Sequence, residues 1–371
     1  MKISIERAAL LRSLGHVQSV VERRNTIPIL ANVLMKAEDG VLSLTTTDMD
    51  LEINESVAAK VKTPGAVTAP AHTLFDIIRK LPDGSDVSLS LNNEGTQMTV
   101  SAGRSNFKLS CLPTADFPEI GTGELPTKIT LPAAELRALI DRTKFAMSTE
   151  ETRYYLNGIY FHEAEHDGIA VLRAVATDGH RLARFEMPLP EGGSGMPGVI
   201  IPRKAVGEVR KLIDEAADTI EITLSESKIR FAFDHVVLTS KLIDGTFPDY
   251  QRVIPEGNDK VVEVDAKTLT SAVDRVSTIS DGKSRAVKVS LNGKQMILSA
   301  SSPEAGSATE ELEVNGDTNI EIGFNAKYLL DITSQVTGES CRFTLADAAS
   351  PTIIQDNDDL SALYVLMPLR V

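Results

Sequence analysis

The chain has 371 residues, of which 42% are hydrophobic and 24% charged, and a formal net charge of −14. Such a composition is ordinary for a soluble globular protein, the length suits two or three domains, and the apolar runs are strand-length, which excludes a bilayer-spanning helix. The acidic balance taken alone argues against a nucleic-acid partner, and two cysteines, Cys111 and Cys341, favour a reducing cytoplasm in which both are small buried hydrophobes.

In chain order, MKISIERAALL lacks the apolar core of a signal peptide and reads as a strand turning into a helix over 6–25, with Leu10, Leu14, Val17 and Val21 on one stripe. Alternating strands follow at IPILANVLMKAE and VLSLTTTDMDLEINESV, then a helix over 71–80 stopped by Pro82 and Gly84, then strands to the phrase ADFPEI. The pattern repeats: a helix over 132–147, a meander through AVATDGHRLARFEMP, a helix over 202–213, strands, and DGTFPDYQRV. A third pass has helices over 265–285 and 326–337 and ends in SALYVLMPLRV.

Landmarks recur at near-constant offset. Phe117-Pro118, Phe247-Pro248 and Met367-Pro368 lie about 120 to 130 residues apart, as do Pro70, Pro202 and Asn325. The turn at Asp178-Gly179 has a counterpart at Asp48 and a degraded one within 298–312. The expected architecture is α+β, with three tandem copies of one domain over 1–125, 126–253 and 254–371. Each copy sets two helices on antiparallel sheets. The linkers 121–128 and 254–260 are short enough for edge strands of neighbouring copies to pair, and EGGSGMPG (191–198) reads as an internal flexible loop. Base concentrates on the helical segments and acid on strands and loops. Helices gathered on one side would therefore make that side electropositive, as a phosphate backbone requires.

His162-Glu163-Ala164-Glu165-His166 matches a zinc-protease motif and supports, as an alternative, a zinc-dependent hydrolase. That chemistry needs a helix to bring the histidines to about 6 Å. Here the flanking LNGIYF and Asp167-Gly168 predict a strand, which spaces them by about 13 Å. No nucleophile elbow, phosphate loop or dinucleotide fingerprint occurs, so no cofactor and no catalysis are expected.

RYYLNG, ATDGHRLA, IPRK, TSKLIDGTFPDY, GFNAKYLLD and YVLMPLRV, together with NTIPILANVL and GRSNFKLSCLPTADFP, resemble the bacterial DNA polymerase III beta subunit family, the sliding clamps, in matching order over the whole chain. The resemblance implies a head-to-tail homodimer closing a six-domain ring, in the cytoplasm, around double-stranded DNA without sequence preference. It further implies tethering of the replicative polymerase α subunit, and binding of the clamp loader, other polymerases and repair proteins through short linear motifs. By motif match, the DNA-facing residues are Arg24, Arg153, Tyr154, Arg203, Lys204 and Lys211. A partner-peptide pocket is implied at Tyr155, Leu156, Thr177, Gly179, His180, Arg181, Leu182, Pro248, Arg252, Val253, Asn325, Tyr328, Val365, Met367, Pro368, Leu369 and Arg370. In it, His180, Arg181 and Arg370 would fix polar groups of the peptide. Phe107 and Ile279 would form an apolar dimer contact.

Overall fold

A computed structural model describes residues 1–24, 26–121, 123–215, 218–280 and 285–370. Among these are six α-helices: α1 (Arg7–Val17), α2 (Ala71–Lys80), α3 (Ala133–Asp141), α4 (Arg203–Ile213), α5 (Ala266–Ser277) and α6 (Ala326–Thr333). Each coincides with an expected helix but several end early. Past α1 and α3 the chain tightens into 3-10 turns, Gln18–Val20 and Lys144–Ala146. After α3 the Thr143 hydroxyl bonds back to the Leu139 carbonyl at 2.6 Å. Past α6 the Asp356 carboxylate captures the amides of Thr337 and Gly338 at 2.8 and 2.9 Å, which stops the helix short of 337. Positions 281–284 of the expected fifth helix, 25 of the first and 122 of the first linker lie outside the described residues.

The chain forms two compact units. The first comprises Met1–Leu136, Pro190–Gly193 and Lys204–Leu242. It holds a five-stranded antiparallel sheet ordered Lys60–Thr63, Lys2–Glu6, Asp86–Leu91, Gln97–Ala102, Ser105–Ser110. Its second sheet has eight strands, in the order Thr127–Pro132, Thr219–Leu224, Lys228–Phe233, Val236–Lys241, Leu51–Ala58, Val41–Thr47, Asn32–Glu38, Gly65–Pro70. Strands of the first and second repeats thus share a sheet, joined where Leu238 faces Ile53. Alternation puts Ile3 and Ile5 of the first strand and Leu10, Leu14 and Val17 of α1 in the core. Each such side chain contributes roughly 1.5–3 kcal/mol on burial.

A polar staple ties α1 into this unit. The buried Glu55 carboxylate accepts from Ser13 Oγ and pairs with His16 Nδ1, both at 2.7 Å, and His16 Nε2 lies 3.1 Å from Glu215. The hydrogen bond that His16 donates to Glu55, with the charges of Glu55 and Glu215, raises the His16 pKa above 6.5 against the opposing effect of burial. Arg12, Asp234 and His235 line the same recess. A raised pKa stabilises fully below the unfolded value of 6.5, and the contribution is lost as pH rises through the folded value. Replacing His16 by Asn should therefore cost about 2 kcal/mol near pH 6. The difference from wild type in urea unfolding should shrink as pH rises above 6.5; a difference that grows with pH would contradict the staple.

The second unit comprises Arg137–Leu189, Ser194–Arg203 and Ile243–Val371. One ten-stranded sheet runs Val199–Pro202, Gly158–His166, Ile169–Thr177, Arg181–Pro188, Ala362–Leu366, Thr352–Asp356, Ser340–Leu345, Lys260–Asp265, Gly306–Asn325, Ala286–Ser302. Here the second and third repeats share a sheet, with Ala183 facing Tyr364. Ala286–Ser302 and Gly306–Asn325 form one long hairpin in which Asn292-Gly293 makes only an irregularity before Gln295. The 191–198 loop is less free than its glycines suggest. Met196 is buried, and the Gly195 amide donates to Glu163 at 2.7 Å.

The repeated turns match atom for atom. Asp48 Oδ1 accepts from the amides of Asp50 and Leu51, and Thr47 Oγ1 from that of Met49. Asp178 Oδ1 accepts from His180 and Arg181, and Thr177 Oγ1 from Gly179. Met49 and Gly179 share the left-handed backbone, φ 79° and 88°. In the third copy Ser302 Oγ takes the carboxylate's part, accepting from Glu304 and Ala305.

Candidate functional site

The expected pocket residues all belong to the second unit. Their floor is an apolar cluster of Leu156, Val175, Leu182, Ile200, Phe247, Tyr250, Leu363 and Val365, with Tyr155, Tyr160, Ile243, Ile254 and Ile353 against it. Pairing of Leu182 with Val365 across two adjacent strands fixes the centre of this floor. Above it the chain ends in a pinned tail. The Met367 amide donates to the His180 carbonyl at 3.0 Å and the Leu369 amide to the Gly323 carbonyl at 2.8 Å. Met367 remains 40% exposed and Val253, on the turn Tyr250–Val253, 50% exposed. Large exposed apolar side chains beside a buried apolar floor make a surface with room and chemistry for an apolar segment.

Polar groups frame it. Gly179 takes a left-handed backbone, the conformation that Met49 holds at the matching turn, and a Cβ there would meet the mobile end of Arg153, Nη1, at 2.6 Å, so that side chain would have to move aside. Arg153, grouped with the DNA-facing residues on sequence, thus sits over the pocket turn, held bidentately by Glu150 at 2.8 and 2.9 Å. His180 is exposed and stacks on Tyr328, with ring centroids 6.3 Å apart. Asn325 caps α6 by accepting from the Tyr328 amide at 3.2 Å. Arg252 projects into solvent, paired with Asp249 at 2.8 Å, while Pro248 and Arg370 are exposed and Pro368 half-buried.

Arg181 has a different task from the one its sequence position suggests. It is 7% exposed, and its guanidinium reaches Asp331 at 2.6 Å, the Phe145 carbonyl at 2.5 Å and Asp178 at 3.2 Å while lying 4.3 Å from the Tyr328 ring centroid. Its donors are committed inside the protein, so it braces this wall, whereas His180 and Arg370 stay exposed. Sequence reasoning missed Phe145 and Asp331 because they stand 36 and 150 residues away. It also missed the aromatic wall of Tyr160, Phe247 and Tyr250, where Tyr160 stacks on Phe247 at 4.9 Å. The alternation of Tyr160 and His162 along one strand was the available signal.

Of the remaining basic residues expected to face DNA, Arg24 is exposed and has no ion-pair partner among the described residues. Tyr154 is 52% exposed and packs edge-on against Tyr155. Arg203 donates to the carbonyls of Met147 and Ser148 at 2.6 and 2.7 Å, and burial lowers its pKa. Lys204 bonds Val20 O, Glu22 and Asp48, and Lys211 bonds Glu208.

Phe107 is 37% exposed on Ser105–Ser110, the outermost strand of the five-stranded sheet. Ile279 is half-buried just beyond α5, before Ala286–Ser302, the outermost strand of the ten-stranded sheet.

The hydrolase reading finds no support. His162 to His166 lies on the strand Gly158–His166, His162 bonds the Glu163 carbonyl and Tyr250, and His166 pairs with Glu186. Among the described residues no group of three His, Cys, Asp or Glu is placed to hold a metal ion. Of the cysteines, Cys341 is buried, with its pKa pushed up to about 12, whereas Cys111 is only half-buried.

Family models for the DNA polymerase III beta subunit match end to end: the N-terminal domain at residues 1–121, the central domain at 130–249 and the C-terminal domain at 251–370. The sequence is 54% identical to the beta sliding clamp of Caulobacter vibrioides and 40% identical to that of Escherichia coli, in each case over the full length of both chains. A crystal structure of the C. crescentus beta sliding clamp with PEG bound is similar at TM-score 0.98 and 54% identity, covering 100% of this chain and 99% of that one. A Bartonella birtlesii sliding clamp bound to griselimycin is similar at TM-score 0.97 and 52% identity, with both chains fully covered.

Proposed function

This chain belongs to the DNA polymerase III beta subunit family, the bacterial sliding clamps, and from that premise we propose that two copies join head to tail into a ring of six domains around duplex DNA. The domains are taken as 1–125, 126–253 and 254–371. The carrying observation is the succession of three clamp-domain models over one chain, in order and with no large gap.

A closed ring holds DNA by topology, so its contacts need not be strong. This agrees with the state of the candidate bases. Lys204 and Lys211 are already balanced by carboxylates, and Arg24 stands exposed. Contacts made by few uncompensated cations are weak, salt-sensitive and blind to sequence, which leaves sliding nearly free. Self-association is assigned to the outermost strands carrying Phe107 and following Ile279, since an unpaired edge is a template for another strand.

The pocket around Leu182, Val365 and Met367 then tethers the replicative polymerase α subunit, and in turn the clamp loader, other polymerases and repair proteins, through apolar linear motifs. The ligand seen in the B. birtlesii clamp, griselimycin, is a candidate competitor for it. The chain itself carries out no chemistry, works without a cofactor and acts in the cytoplasm. No described helix is long and apolar enough to cross a membrane.

The test is product length. On a primed single-stranded circle, the polymerase α subunit with a clamp loader should extend primers further per binding event when this protein is added. Unchanged length would contradict the assignment.

A further inference from the structure

The HEAEH stretch, once its metal reading lapses, belongs to a buried network behind the pocket. Arg173 and Glu186 are 4% and 5% exposed and joined at 2.7 Å. Arg173 Nη1 donates to the Tyr250 hydroxyl at 2.9 Å, and His162 Nε2 lies 3.1 Å from the same hydroxyl. The protons have one consistent arrangement. His162 Nδ1 carries a proton and donates to the Glu163 carbonyl at 2.7 Å, so Nε2 accepts from the Tyr250 hydroxyl, which itself accepts from Arg173. Burial lowers the His162 pKa and keeps the ring in this neutral form. The Tyr250 ring meanwhile packs in the apolar floor, 6.4 Å from Phe247, and begins the turn that carries Arg252 and Val253 at the pocket edge.

We propose that Arg173 is a positioning residue for partner binding: through the Tyr250 hydroxyl it fixes the Tyr250–Val253 turn, and with it the exposed Arg252 and Val253 that meet the partner. The inference rests on the pocket reading above. Apolar packing places the Tyr250 ring without directional constraint, and a charged donor and a ring nitrogen gripping its hydroxyl from inside pre-organise the turn.

Two conservative changes test this. Tyr250→Phe keeps the ring in the floor and removes the hydroxyl. Arg173→Lys keeps a charge for Glu186 but gives up the fork that serves Glu186 and Tyr250 together. With the polymerase α subunit immobilised, each variant should bind about tenfold more weakly, chiefly by faster dissociation. The double variant should bind no more weakly than the worse single one, because both changes cut the same linkage. Wild-type affinity in Tyr250→Phe, or losses that add in the double variant, would overturn the proposal. So would a lowered melting temperature with affinity per folded molecule unchanged, the mark of a merely structural role. Failure of the unaltered protein to bind the α subunit would instead overturn the pocket reading, and this inference with it.

Discussion

Removing residues 367–371 should abolish binding to the polymerase III α subunit and leave self-association unchanged. The strand Ala362–Leu366 survives the cut, paired on both sides, so the sheet keeps its order. What is lost is the tail pinned to His180 and Gly323, with Met367 exposed and Leu369 half-buried beside Gly323. Apolar anchors at the centre of such a site carry most of its binding free energy. The expected loss is about 3 kcal/mol or more, at least a hundredfold in affinity. Surface plasmon resonance reads the affinity and sedimentation the association state. Binding that survives the truncation would place the partner site elsewhere.

Phe107→Asp should have the opposite pattern: a monomer that still binds the α subunit. Phe107 projects from an outermost strand whose backbone groups on one side have no strand partner among the described residues. Pairing there with an outer strand of a second copy would bury its ring and complete the ladder. A carboxylate in the same place would be desolvated without a partner, which costs several kcal/mol and exceeds what a ring on a strand face contributes. Sedimentation equilibrium should show the dissociation constant raised roughly a hundredfold or more. A variant that remains dimeric at wild-type strength would exclude this edge from the interface.

Much of the architecture was legible because it rests on local periodicity. Strands such as KISIE and DVSLSL alternate cleanly, helices α1 and α2 carry apolar stripes, and the threefold recurrence of landmarks set the repeat. Helix ends were less legible, since they turn on distant captors such as Asp356 at α6. Motifs named candidate site residues, but the contacts those residues make within the fold were not legible. Arg181 reads as an exposed ligand of peptides until Asp331 and the Phe145 carbonyl claim its donors, and Lys204 reads as a phosphate contact until Glu22 and Asp48 surround it. Ion pairs between residues so far apart leave no periodic trace. The Asp48 and Asp178 turns show the reverse case, where short-range hydrogen bonds alone define the geometry and the sequence reveals it twice.

Encirclement is tested most directly by retention on DNA of changed topology. The protein is loaded onto a nicked circular plasmid with a clamp loader and freed of unbound molecules, and the plasmid is then cut once at a distant site. The account predicts that it stays on the closed circle and runs off the linear molecule through the free ends. Loss at the same rate from both would contradict it.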